Sequence, residues 1–153
     1  MKKRTFENQT DIEYIINKCE VCYVAMVDEN NNPYVLPFNF GYNNKCLFLH
    51  GTKTGKKINI LKKNNQVCIT FSTDHSLVYQ NDSVACSFTM KFRSVVAYGK
   101  AYFIEDYDKK VEAIDEVMKK YTGKSYKYSK PAINNLETIR IEIESWSGKE
   151  SGY

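Results

Sequence analysis

Three extended runs near the start of the chain are joined by nothing longer than a tight turn, and that spacing restricts the fold more than any other feature. Val21–Val27 is rich in β-branched and apolar residues, and Asp28-Glu29-Asn30-Asn31-Asn32 follows it as a turn cluster. Pro33–Tyr42 resumes an extended pattern, Asn43-Asn44 marks a hairpin, and Cys46–His50 is the third run. Parallel strands need a crossover of a dozen residues or more, so runs this closely joined pair antiparallel.

The rest of the chain adds strands and a few helices. Thr10-Asp11-Ile12-Glu13 reads as a capping box, and Ile12, Ile15, Ile16 and Cys19 then share one face, which predicts a helix over 10–19. Gly51–Gly55 breaks the third strand, and Ile58 and Leu61 predict a short helix from Gly55 to Lys63. Val67–Ser72 reads as a strand and Thr73–Ser83 as a loop. Val84–Ile104 reads as two strands, or as one bent at a bulge near Gly99. Asp106 is a candidate N-cap for a helix with Tyr107, Val111, Ile114, Met118 and Tyr121 on its stripe and Gly123 as its stop. Thr138–Ser145 alternates isoleucines with charged residues and predicts a half-buried strand. Hairpin-linked strands with helices between them give a mainly β, α+β class: a small antiparallel barrel with peripheral helices.

The sequence has 153 residues, which fits one domain over 1–153 with a core of its own. Aromatic residues at 14% exclude a disordered chain. No apolar run approaches a membrane span, and polar residues follow the basic start where a signal peptide would place its apolar stretch. The expectation is a cytoplasmic protein without a membrane partner. A net charge of +4 with interspersed signs is too mild for a nucleic-acid binder. Cys19, Cys22, Cys46, Cys68 and Cys86 read as reduced structural thiols, because the Cys19–Cys22 pair has neither a second such pair nor a nearby histidine to complete a metal site.

Four segments carry candidate chemistry. His50-Gly-Thr-Lys-Thr-Gly-Lys-Lys57 lies between a strand and a helix, where unpaired amides and Lys56 and Lys57 could hold a phosphate. It is not a P-loop: only three residues separate its glycines, and Lys57 stands where a hydroxyl would meet magnesium. A solvated lysine loop is the alternative. In Pro33–Gly41, Pro37 demands an edge, a bulge or a ligand-facing position. Arg93 and Ser94 enter an apolar strand, and Trp146 follows the last one. No nucleophile, base and orienting group form a recognisable set, so an enzyme of this sequence would leave the difficult chemistry to a cofactor.

In this order and spacing, Ala25–Glu29, Pro33–Tyr42, Leu47–Lys57, Asn64–Phe71, Arg93–Gly99 and Ile143–Lys149 resemble the FMN-binding split-barrel superfamily of the pyridoxamine phosphate oxidases, nearest its nitroimidazole-resistance (Nim) branch. The resemblance implies a split barrel and a homodimer with FMN in two interface clefts. Val35, Leu36, Pro37, Phe38 and Asn39 would line the flavin ring. His50 and Gly51 would lie beside flavin and ribityl chain, and Lys56 and Lys57 would hold the phosphate. Arg93 and Ser94 would reach in from the partner subunit, and Trp146 would lie near the ring. His50 is the candidate catalytic residue, no metal is called for, and the implied electron donor is NADH or NADPH. The implied activity is reduction of a small acceptor such as a nitroaromatic. A flavin-storage protein and a haem-handling barrel are the alternatives on this fold. The chain lacks the oxidases' terminal Arg-rich motif, which argues against a vitamin-oxidising role.

Overall fold

The computed structural model describes residues 1–153. The chain runs β1 (Lys3–Phe6), α1 (Gln9–Lys18), β2 (Cys22–Val27), β3 (Pro33–Phe38), β4 (Gly41–Asn43), β5 (Cys46–Gly51), α2 (Lys56–Lys63), β6 (Gln66–Val78), β7 (Thr89–Phe103), α3 (Tyr107–Thr122), α4 (Lys130–Asn134) and β8 (Glu137–Ser151). One antiparallel sheet of eight strands has the order β3-β2-β6-β7-β8-β5-β4, with β1 added to the far half of β8.

That order makes the sheet curl. β3 and β4 lie at opposite ends of it, yet only Asn39 and Phe40 separate them in the chain. Three Cα steps from Phe38 to Gly41 span at most about 11 Å. The two edges therefore face each other across a gap without pairing, and the result is the expected α+β split barrel. Phe40, fully buried, plugs this crossing and meets Phe71 edge-on at 5.4 Å. Its amide donates to the Tyr121 hydroxyl of α3 at 3.1 Å, which donates in turn to the Glu20 carbonyl at 2.6 Å.

The inner face carries Val24, Met26, Leu47, Leu49, Ile69, Val95, Ile139 and Ile141, closed by Ile12, Ile15 and Ile16 of α1 and by Ile58 and Leu61 of α2. Cys19 and Cys22 belong to this core, and burial pushes the Cys22 thiol up to about 12. Cys86 differs, standing exposed. The α3 helix lies against β4 and β5 so closely that a Cβ on Gly41 would meet the Val117 amide nitrogen at 2.6 Å.

Several expectations need correction. The α1 cap is Asn8, whose side chain accepts from the Asp11 amide, and not the Thr10 box. The β6 strand continues through the expected loop to Val78, because a bulge between Thr73 and Ser76, with Asp74 at φ 57°, absorbs the misfit and lets pairing resume. β7 is a single strand from Thr89 bent at Tyr98/Gly99, while Ala85–Ser87 is one turn of 3-10 helix. The buried stripe of α3 is Lys110, Ala113, Ile114 and Val117, offset from the expected one because alanine and a lysine stem face inward. β8 runs on to Ser151, so Trp146 lies within the last strand rather than after it.

Candidate functional site

α2 begins at Gly55, whose φ of 120° is a glycine conformation and whose lack of a side chain leaves the first helical amides uncapped. This start abuts the end of β5. Lys57 reaches back so that its Nζ lies 5.4 Å from the Phe38 ring, and a Cβ on Gly51 would collide with the same ammonium. Neither Lys56 nor Lys57 forms an ion pair, whereas Lys63 on the same helix pairs with Glu29. His50 stands on the outer face of β5, alternating with buried Leu49. Its Nδ1 is enclosed and unpartnered. Burial, reinforced by the Lys57 ammonium, holds the imidazole below its usual pKa of 6.5, so the ring is neutral at pH 7.

Phe38, Gly51 and Lys57 thus meet at the split of the barrel, and His50, next to Gly51 on β5, lies within the electrostatic reach of the Lys57 ammonium. Val35 and Pro37 are exposed on β3, which pairs only with β2 and leaves its other edge free. Pro37 therefore costs no ladder bond on that side. Leu36 packs toward the core and Asn39 is exposed in the crossing.

Lys56 and Lys57 are splayed. The Lys56 ammonium sits 4.6 Å from the Tyr34 ring and lines a cleft of about 340 Å³ with Asp28, Asn59 and Lys63. Tyr34 and Phe38 are four residues apart on β3, roughly 13 Å at strand rise. Lys57 belongs to the His50 corner, and Lys56 faces the β2–β3 turn.

The remaining expected residues lie far along the sheet. His50 is opposite Thr138 at the start of β8, whereas Arg93 is opposite Glu150 near its end. Twelve strand residues separate these positions, roughly 40 Å along the strand. Within one chain, Arg93, Ser94 and Trp146 are therefore not brought to Lys57. Arg93 is held by Asp74 at 2.7 Å and Glu150 at 3.2 Å, with Tyr153 stacked on its guanidinium at 3.9 Å, and only Nη2 is left without a carboxylate. Arg4 bridges Glu150 and Asp11, and Lys18 joins Asp74, so a chain of alternating charges ties β1 and α1 to the sheet. The Ser94 hydroxyl points to the Lys149 carbonyl at 3.5 Å. Trp146 packs against the core, donates Nε1 to the Glu7 carbonyl at 3.1 Å and carries the Lys45 ammonium over its ring.

The sequence model described as pyridoxamine 5'-phosphate oxidase matches residues 8–150. The chain belongs to that family. It is 42% identical to a candidate 5-nitroimidazole antibiotic resistance protein from Bacteroides thetaiotaomicron, with a TM-score of 0.87 over 97% of this chain and 87% of the other. The fold also matches the FAD and haem binding protein of Mycobacterium smegmatis (16% identity, TM-score 0.84, 97% and 74% covered). A FAD-binding protein of Mesorhizobium loti matches as well (23% identity, TM-score 0.71, 99% and 100% covered). No curated protein sequence matches the chain. No helix is long and apolar enough to cross a membrane.

Two features of the site were not legible as such. Thr138, fully buried opposite His50, sits in a strand whose alternation assigns it to the outer, polar face. The Arg93–Glu150 ion pair depends on β8 reaching Glu150, beyond the predicted end of that strand, and the Arg93–Asp74 pair on β6 continuing through the expected loop.

Proposed function

We propose that the protein binds FMN at the split of the barrel as a homodimer and reduces small oxidised acceptors such as nitroaromatics with electrons from NADH or NADPH. The observation that carries this reading is the unpaired Lys57 ammonium beside Gly51 and the uncapped start of α2. An anion there meets amide dipoles and a full charge together, and a Cβ on Gly51 would occupy the place of that charge. The chemistry of these donors fits a flavin phosphate.

The residues then have distinct tasks. Lys57 grips the phosphate, and Lys56 adds longer-range attraction from across the β2–β3 turn. The free edge of β3 at Val35–Asn39 offers backbone groups and the exposed Val35 and Pro37 surfaces to a flat ring. His50, neutral and open at Nε2, supplies a hydrogen bond toward the acceptor. FMN, when bound, supplies the redox chemistry, accepting a hydride from the nicotinamide and passing electrons to the acceptor.

A second copy accounts for two further features. Tyr23, Val35 and Tyr98 stand half or more exposed on the outer face of β2, β3 and β7, a broad apolar surface for a single chain. Packing that surface against its symmetry mate allows the partner to supply Arg93 and Ser94, which one chain holds away from its own Lys57. The relative that is 42% identical carries a resistance description that supports the choice of acceptor.

Anaerobic NADH or NADPH should bleach the FMN-loaded protein, and a 5-nitroimidazole should restore the colour. Binding without bleaching would favour flavin storage, and a Soret band in the purified protein would favour haem.

A further inference from the structure

Four side-chain polar atoms are enclosed without a partner, and two of them, His50 Nδ1 and Thr138 Oγ1, belong to directly opposed residues of neighbouring strands. His50 and Thr138 are direct register partners across β5 and β8, and both alternate with core residues, Leu49 and Ile139, so their side chains share the outer face. Directly opposed residues have Cβ atoms about 4.5–5.5 Å apart, which brings a threonine hydroxyl within reach of an imidazole nitrogen after one side-chain rotation. The backbone of Thr138 is already engaged, its carbonyl accepting from the Ile104 amide at 2.9 Å and its amide donating to Glu137 at 3.3 Å.

We propose that the Thr138 hydroxyl donates to His50 Nδ1 and is the positioning residue that fixes this imidazole as the Nε2–H tautomer, with Nε2 as its one free donor. Proton accounting sets the direction. A neutral imidazole has one donor nitrogen and one acceptor, and a hydroxyl has one proton to place. If Nδ1–H donated to Oγ1, the hydroxyl proton would stay buried and unpaired. If the hydroxyl donates, both enclosed atoms are satisfied, and Nε2, which reaches the surface, carries the only remaining N–H. An acceptor bound there must present a lone pair, as an oxygen of an oxidised substrate does. This consequence rests on the flavin reading; the hydrogen bond does not.

The test is nitrogen-15 NMR of labelled, flavin-free protein, with His50 distinguished from His75 by a His75→Gln variant. Wild type should show neutral His50 protonated at Nε2. The Thr138→Val variant, nearly isosteric, removes a bond that favours the neutral ring, so the His50 pKa should rise by roughly 0.7 pH unit, about fivefold in the protonation constant. Thr138→Ser should restore the wild-type value. The other charged groups on the elements packed around this face are unaltered in every variant: Lys57 of α2, Glu137 and Arg140 of β8, and Lys109, Lys110, Glu112 and Glu116 of α3. Wild-type His50 protonated at Nδ1 would overturn the proposal even if the valine variant failed to fold. An unchanged or lowered pKa in Thr138→Val would overturn it too. Failure to bind FMN would sink the flavin reading and leave this result standing.

Discussion

Replacing Lys57 by alanine should weaken FMN binding about 30-fold, while Lys62→Ala should change it less than about twofold. Both substitutions remove one positive charge from the same helix. Lys57 points at Gly51 and Phe38 in the split, whereas Lys62 points toward Phe103, 6.0 Å from its ring. An ammonium 4 Å from a unit negative charge is worth about 1 kcal/mol in water and about 4 kcal/mol at an effective dielectric near 20. Lys57 is half-buried, and hydrogen bonds to charged groups contribute about 1.5–3 kcal/mol net, so a loss of about 2 kcal/mol is reasonable. That is about 30-fold in Kd. Because Lys57 has no carboxylate partner to strand, thermal stability of the flavin-free protein should change by less than about 2 °C. Quenching of FMN fluorescence at about 0.15 M salt gives the affinities, and a melting curve gives the control. Equal affinities for the two variants would refute the assignment of the phosphate to this corner.

A methyl group at Gly51 would displace only the mobile end of Lys57, so Gly51→Ala should weaken FMN binding by about tenfold yet shift the melting temperature by less than about 3 °C; a large loss of stability would show that Gly51 serves packing instead. Hydrogen bonding to the Lys18 ammonium, then to Arg93, holds the Asp74 carboxyl below its ordinary pKa of 3.8, so its contribution is present above about pH 4 and lost as pH falls through the lowered value. The stability gap between wild type and Asp74→Asn should accordingly close on acidification below pH 4, and a gap constant down to pH 2 in urea titrations would contradict the ion-pair account. Tyr98→Asp places a charge on the apolar outer face, 56% exposed in the single chain, and should yield a monomer by sedimentation that binds FMN at least tenfold more weakly. A monomeric variant with wild-type affinity would show that one chain makes the whole site.

Much of the fold was readable because local chemistry and tertiary structure agree. The hairpin at Asn44 and Lys45 uses left-handed backbone at φ 46° and 61°, close to the Asn43-Asn44 signal. Asp106 caps α3 by accepting from the Lys109 amide, and Gly123 ends it at φ 68°. The missing elements have no local signature. Lys3-Arg4-Thr5-Phe6 is a strand only because β8 offers it an edge, and Lys130–Asn134 is too short for periodicity to reveal. The extension of β6 passes through Asp74, His75 and Ser76, which as a string are turn formers; partners on β7 override that preference.

The site was legible in kind more than in geometry. The glycines and lysines after β5 pointed to a candidate anion-binding helix start, and the structure brings the Lys57 ammonium to Gly51 and Phe38 there. The splay of Lys56 from Lys57 depends on which aromatic of β3 each ammonium meets, a tertiary fact. The buried pairing of His50 with Thr138 likewise follows from the β5–β8 register, which sequence patterning leaves open.

Sedimentation of the protein after equilibration with FMN, followed by absorbance near 450 nm, bears most directly on the central claim. Flavin should travel with a species of twice the chain mass at one FMN per chain. A colourless boundary at the same mass, with all the flavin left in the supernatant, would contradict it.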